Sequence, residues 1–160
     1  MPRRWLQDLH DDVERKRDEL QREAEERKAE HERFLSLLPQ FLETLYQQLR
    51  DALDEHNARM GPGRPWVRVA EYSPASAFCA RHDNGAELMV TADQETKDLV
   101  VQREMPGGGV ERQRMPLVVR GSAIRLAVRG GDSADETERE ILEPFLRILM
   151  GVAPAGSKPA

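Results

Sequence analysis

Cys79 and His82 are the residue types that most readily do chemistry, either as a nucleophile with its base or as two ligands of a metal. Their spacing argues against both roles. They fall in a run, Ser76–His82, that reads as a strand, and strand residues three apart point to opposite faces. A zinc site also needs three or four ligands, and no such set clusters here. Cys79 is therefore expected to be a small buried thiol. With Asn84-Gly85 as a two-residue hairpin turn, it pairs with Val90 and shares a face with Leu88 and Ala77.

Other patterns fail on composition. Asp93, Glu95 and Glu104 occupy positions 1, 3 and 12 of a hypothetical calcium loop, but Lys97 and Asp98 stand at positions 5 and 6, where the loop needs an oxygen ligand and a glycine. Gly107-Gly108-Gly109 lacks the helix and the Lys-Ser/Thr of a phosphate loop. Gly130-Gly131 precedes a helix start, yet Asp132, Asp135 and Glu136 crowd that end and would repel an anion. Both glycine runs read as turns. His10 and His31 read as solvated helix residues, although burial in a seam would make them sensitive to pH. No metal, no cofactor and no catalytic residue are expected, because no acid–base or nucleophile–base set assembles.

The arginines remain. Arg112 with Arg114, and Arg125 with Arg129, point the same way along their own strands. If both pairs face outward they form a basic surface, and the planar guanidinium suits carboxylates or phosphates of an acidic protein partner. They supply four of the ten positive charges in residues 61–131, the one segment with a positive balance. A solvated sheet face countered by Glu87, Glu104 or Glu111 is the plainer alternative.

The elements that position these residues follow from period and punctuation. Arg4 to Arg59 holds no glycine and a single proline, Pro39, and is rich in helix formers. As one helix it would be a rod of about 80 Å. Phe34, Leu35, Leu38, Phe41, Leu42, Leu45, Tyr46, Leu49 and Leu53 make its second half a broad apolar stripe that must pack on something. Its first half is nearly all charged. There Leu6, Val13 and Leu20 form a heptad row that Arg27 interrupts, and the row four residues on reads His10, Arg17, Ala24, His31, a poor coiled-coil seam. Support comes from the i,i+4 pairs Asp11–Arg15, Asp12–Lys16, Asp18–Arg22 and Glu23–Arg27, worth about 0.2–0.5 kcal/mol each. Pro39 should kink or restart the helix, with Ser36 as cap of the second piece.

Gly61-Pro62-Gly63-Arg64-Pro65 marks a boundary, after which the period falls to two. Strands are expected near Trp66–Tyr72, Ser76–His82, Ala86–Thr91, Asp98–Glu104, Val110–Val119 and Ala123–Arg129. Their short connections demand antiparallel neighbours. A last helix over Ala134–Met150 has Ser133 and Glu136 as a capping box, Pro144 as a bend and Gly151 as its close. The expected fold is α+β: a long N-terminal helix kinked near Pro39, an antiparallel meander of five or six strands, and a C-terminal helix packed on the sheet. Residues 1–33 form a charged, solvent-exposed helix or weak coiled coil. Residues 34–152 form the globular domain, with helix 34–59, sheet 66–129 and helix 134–150, and residues 153–160 a disordered tail.

Composition narrows the function classes. The net charge of −5 argues against non-specific nucleic-acid or anionic-membrane binding. One cysteine excludes an intramolecular disulfide framework, and no stretch approaches the ~20 apolar residues of a membrane span. The N-terminus lacks the apolar core of a signal peptide, so the expected compartment is the cytoplasm. The excess of arginine over lysine reads as the codon bias of a GC-rich bacterium. The expected role is a non-enzymatic interaction or oligomerisation module. In it the helix self-associates into a homodimer through Leu6, Val13 and Leu20, and the sheet's Arg112, Arg114, Arg125 and Arg129 give a second surface. A small-ligand or sensor domain, with a pocket between helix 34–59 and the sheet, is the alternative. An enzyme of undefined type ranks third.

Overall fold

The computed structural model describes residues 3–61, 67–69, 77–127 and 134–151. Helix α1 spans Arg4–Met60. Six strands follow: β1 (Arg68–Val69), β2 (Phe78–Arg81), β3 (Glu87–Asp93), β4 (Asp98–Glu104), β5 (Val110–Arg120) and β6 (Ala123–Leu126). Helix α2 spans Ala134–Met150. The strands lie in chain order in one antiparallel sheet, a meander, so the α+β class is as expected. The chain divides into two compact units, Met1–Ser36 and Leu37–Ala160.

In the second unit the core forms where apolar residues recur at the period of each element. Leu38, Leu42, Leu45, Leu49 and Leu53 of α1 are buried, as are Leu88 and Val90 of β3 and Leu99 and Val101 of β4. Alternation carries through the register, because Val90 lies opposite Val101 and Leu99 opposite Met115. Helix α2 adds Ile141, Leu142 and Phe145. Polar contacts then fix the layers. The Tyr46 hydroxyl donates to the Val90 carbonyl at 3.3 Å, and its ring sits 5.7 Å from that of Phe78. The Asn57 amide exchanges two hydrogen bonds with the Val67 backbone, at 2.9 and 3.1 Å, which ties the approach to β1 onto α1.

Several local expectations are corrected. The helix does not restart at Ser36: its hydroxyl donates back to the Arg33 carbonyl at 2.7 Å, and the helix runs on through Pro39. An interior proline costs about 3 kcal/mol, a cost that burial of Leu38, Leu42 and Leu45 can offset. The β2–β3 loop holds three residues rather than two. His82 N–H donates to Ala86 at 2.9 Å, and only Gly85, not Asn84, has positive φ (+96°). A two-residue type I′ turn needs positive φ at both positions. Asn84 instead accepts the Ala86 N–H on its side-chain oxygen at 2.9 Å. The register therefore shifts by one: Cys79 lies opposite Met89, not Val90, and Leu88 belongs to the other face. The two-residue turn occurs at Gly121-Ser122, where Gly121 has the φ of +63° that a type II′ turn requires.

Strand limits also move. Strand β1 is two residues long, and Trp66 and residues 70–72 of its expected span lie outside the described residues. Strand β6 stops at Leu126; Ala127 still donates to the Pro116 carbonyl at 2.8 Å. Arg129, the capping residue Ser133 and the tail after Gly151 lie outside the described residues. At the other end of α2, Gly151 closes the helix with φ +69° and a 3.3 Å bond to Ile148.

Candidate functional site

In the first unit, α1 carries Trp5, Leu6, Leu9, Val13 and Leu20, which are 39–63% exposed. At 100° per residue these five fall within one arc of about 100°, the width of an amphipathic face. The row beside Leu6, Val13 and Leu20 thus lies three residues on, beginning at Leu9, rather than four on at His10. Leu9 and Trp5 are the members that a reading confined to the Leu6 row misses. Their signal was the i,i+4 spacing of Trp5, Leu9 and Val13. The helix surface is braced locally: Arg27 reaches Glu23 at 3.6 Å as expected, while Arg15 reaches Asp12 at 3.7 Å and Asp11 accepts from Gln7 at 3.2 Å. Such exposed pairs add little stability. They leave the apolar face as the feature that water penalises.

In the second unit the register places Arg112, Arg114 and Arg125 on the outer face of the sheet, opposite Gln102, Val100 and Val118. Arg114 is already engaged. Its guanidinium stands 3.3 Å from Asp93 and from Asp98, and donates to Thr96. The Asp93 hydrogen bond, then the Asp98 one, raises the Arg114 pKa. The Asp93 carboxyl lies below its usual range, chiefly because it accepts the Thr96 backbone N–H. Arg112 donates to Gln102 at 3.0 Å. One arginine between two aspartates is locally negative, so the outer face is a mosaic of both signs.

Cys79 lies on that same outer face but is covered, at 3% exposure. Its thiol donates to Glu87 at 3.3 Å, and Glu87 also pairs with Arg81 at 3.3 Å. Burial, and then the Glu87 carboxylate, pushes the thiol pKa up, the opposite of what a nucleophile or metal ligand needs. His82 turns its Nδ1 to the Asn84 N–H at 3.1 Å, and no cluster of three metal-ligating side chains occurs among the described residues.

The most unusual side chain is one the sequence reading passed over. Arg103, on the inner face of β4, is fully buried. Its Nη2 donates to the carbonyls of Glu140 (3.0 Å) and Ile141 (3.1 Å) in α2, and its Nη1 to Gln113 (3.1 Å) with Glu111 at 3.7 Å. Pro144 explains why the Glu140 carbonyl accepts. A proline has no N–H for the carbonyl four residues back, which here is Glu140. Burial lowers the Arg103 pKa and Glu111 opposes that. The readable signal was the alternation Leu99, Val101, Arg103, which puts an arginine in line with the core.

An open groove of about 530 Å³ lies between the C-terminal half of α1 (Ala52, Glu55) and α2 (Leu142, Leu146, Met150). Glu143 bridges Arg139 (2.6 Å) and Arg147 (3.1 Å) along its rim. No helix among the described residues is long and apolar enough to cross a membrane. Comparison with protein-family models, with curated proteins and with solved structures found no match.

Proposed function

We propose that this chain is a non-enzymatic interaction module that forms a homodimer in the cytoplasm through the N-terminal part of α1, with the sheet's outer face as a second contact surface. The observation that carries this reading is the exposed face Trp5, Leu6, Leu9, Val13 and Leu20. A charged helix has no need of five large apolar side chains on one side unless another surface covers them. Full burial of a Leu or Val side chain is worth about 1.5–3 kcal/mol. The sum over two copies is of the same order as the roughly 4–15 kcal/mol that association costs, so pairing should be weak and concentration-dependent.

The sheet face contributes less. An acidic protein partner would have to displace Asp93 and Asp98 from Arg114. The ligand-binding alternative has less support, since Leu45, Leu49, Leu88, Val90 and Val101, where such a pocket would lie, are all buried. Light scattering after size exclusion tests the proposal. At tens of micromolar the native chain should elute with twice the chain mass, and a Leu6→Glu, Val13→Glu, Leu20→Glu variant with the mass of one chain. A native protein of single-chain mass at that concentration would remove self-association from the account.

A further inference from the structure

We infer that the surface covering the α1 face is the same segment of a second copy, laid parallel and in register; this rests on the self-association proposed above. The inference comes from how charge is distributed beside the apolar face. Taking Leu6, Val13 and Leu20 as heptad position a, the exposed Leu9 falls at d. Position e on one flank is then Arg3, His10, Arg17 and Ala24, and position g on the other is Trp5, Asp12, Glu19 and Glu26. One flank carries only basic or neutral residues and the other only acidic or apolar ones.

That segregation decides orientation. In a parallel pair each g residue meets the e residue five positions on in the partner copy, so Asp12 meets Arg17 and Glu26 meets His31, each twice. In an antiparallel pair e meets e and g meets g, which sets Arg17 beside His10 and Asp12 beside Glu19 or its own counterpart. Like charges side by side select against that arrangement, by amounts similar to those by which exposed opposite pairs favour the other. The apolar rows agree. In register, Leu6, Leu9, Val13 and Leu20 each face themselves, whereas the antiparallel register that sets Leu9 against Leu20 puts Val13 against Lys16 and Leu6 against Glu23. Lys16 and Glu23 at d and Arg27 at a are mismatches in the parallel form; the long stem of Lys16 can lie along the seam with the ammonium in water, and Glu23 pairs with Arg27 of its own helix at 3.6 Å. Polar residues in a seam lower the stability of the pair.

Disulfide trapping in the full-length chain tests this. The native Cys79 is buried and does not compete. Leu6→Cys should oxidise to a disulfide-linked dimer by itself, as should Val13→Cys. A protein that sediments as a dimer, but in which Leu6→Cys does not link to itself and Leu9→Cys links only when mixed with Leu20→Cys, overturns the parallel orientation and leaves self-association standing. A single-chain mass overturns both, and a mass of three or more chains overturns the two-stranded pairing. As a second readout, Asp12→Arg should weaken dimerisation roughly three- to tenfold, and Arg17→Asp on the same chain should restore it. Failure of the second change to restore affinity would contradict the pairing.

Discussion

Pro144 withdraws the N–H that the Glu140 carbonyl would otherwise accept, and the Arg103 guanidinium, fully buried on β4, takes its place at 3.0 Å. The two residues therefore act as a unit. Arg103→Met should destabilise by about 1–3 kcal/mol, because it orphans the Glu140 carbonyl and strips Gln113 and the half-exposed Glu111 of their partner. Pro144→Ala returns an N–H to Glu140, so the same arginine change made with it should cost less by on the order of 1 kcal/mol. Denaturant titration of the four proteins measures that coupling, and strict additivity would show that the arginine serves only to fill space. His56 gives a second residue-scale expectation. Burial, with His82 nearby, lowers its pKa below the ordinary value of about 6.5. A depressed histidine binds its proton less readily folded than unfolded, so its contribution is complete above about pH 6.5 and is lost as pH falls below it. His56→Gln should flatten that limb of the stability–pH curve, and an unchanged limb would assign the acid sensitivity elsewhere.

Elements were legible where one face is buried without exception. Strand β4 keeps its expected limits, Asp98–Glu104, because every second residue from Leu99 points into the core. The β2–β3 register was not legible, because Asn-Gly fits a two-residue and a three-residue loop alike, and the choice rests on one backbone angle at Asn84 and the side-chain bond it makes instead. Of the two outcomes expected at Pro39, a kink or a restart, the restart does not occur, because the local preference of proline is offset by burial of the leucines around it. For the candidate site, the Leu6 row was visible, whereas Arg103 was not, since a charged residue near a strand end reads as exposed until tertiary contacts are known. The halves of α1 should answer differently to truncation. Leu45→Ala removes a core side chain and should cost about 2–5 kcal/mol. Val13→Ala should cost less than about 0.5 kcal/mol under conditions where the chain is monomeric. Thermal denaturation at low concentration reads both, and equal effects would contradict the division into a core-forming and a partner-seeking stretch.

At the scale of the whole molecule, charge and apolar surface are arranged to different ends. Residues 1–60 carry a net −4 and residues 61–131 a net +2, so no large field of one sign directs the chain to a polyanion. The second unit holds a buried apolar core, and the first exposes an apolar face on a helix rich in charged residues. The proposed concentration-dependent pairing would use that face without committing the folded sheet. Amide hydrogen exchange at two protein concentrations tests this most directly, because it locates the contact as well as detecting it. The account predicts that protection across residues 6–24 rises with concentration while that of strands β3 and β4 stays constant. Protection of the helix that does not change with concentration, or a change confined to the sheet, would contradict it.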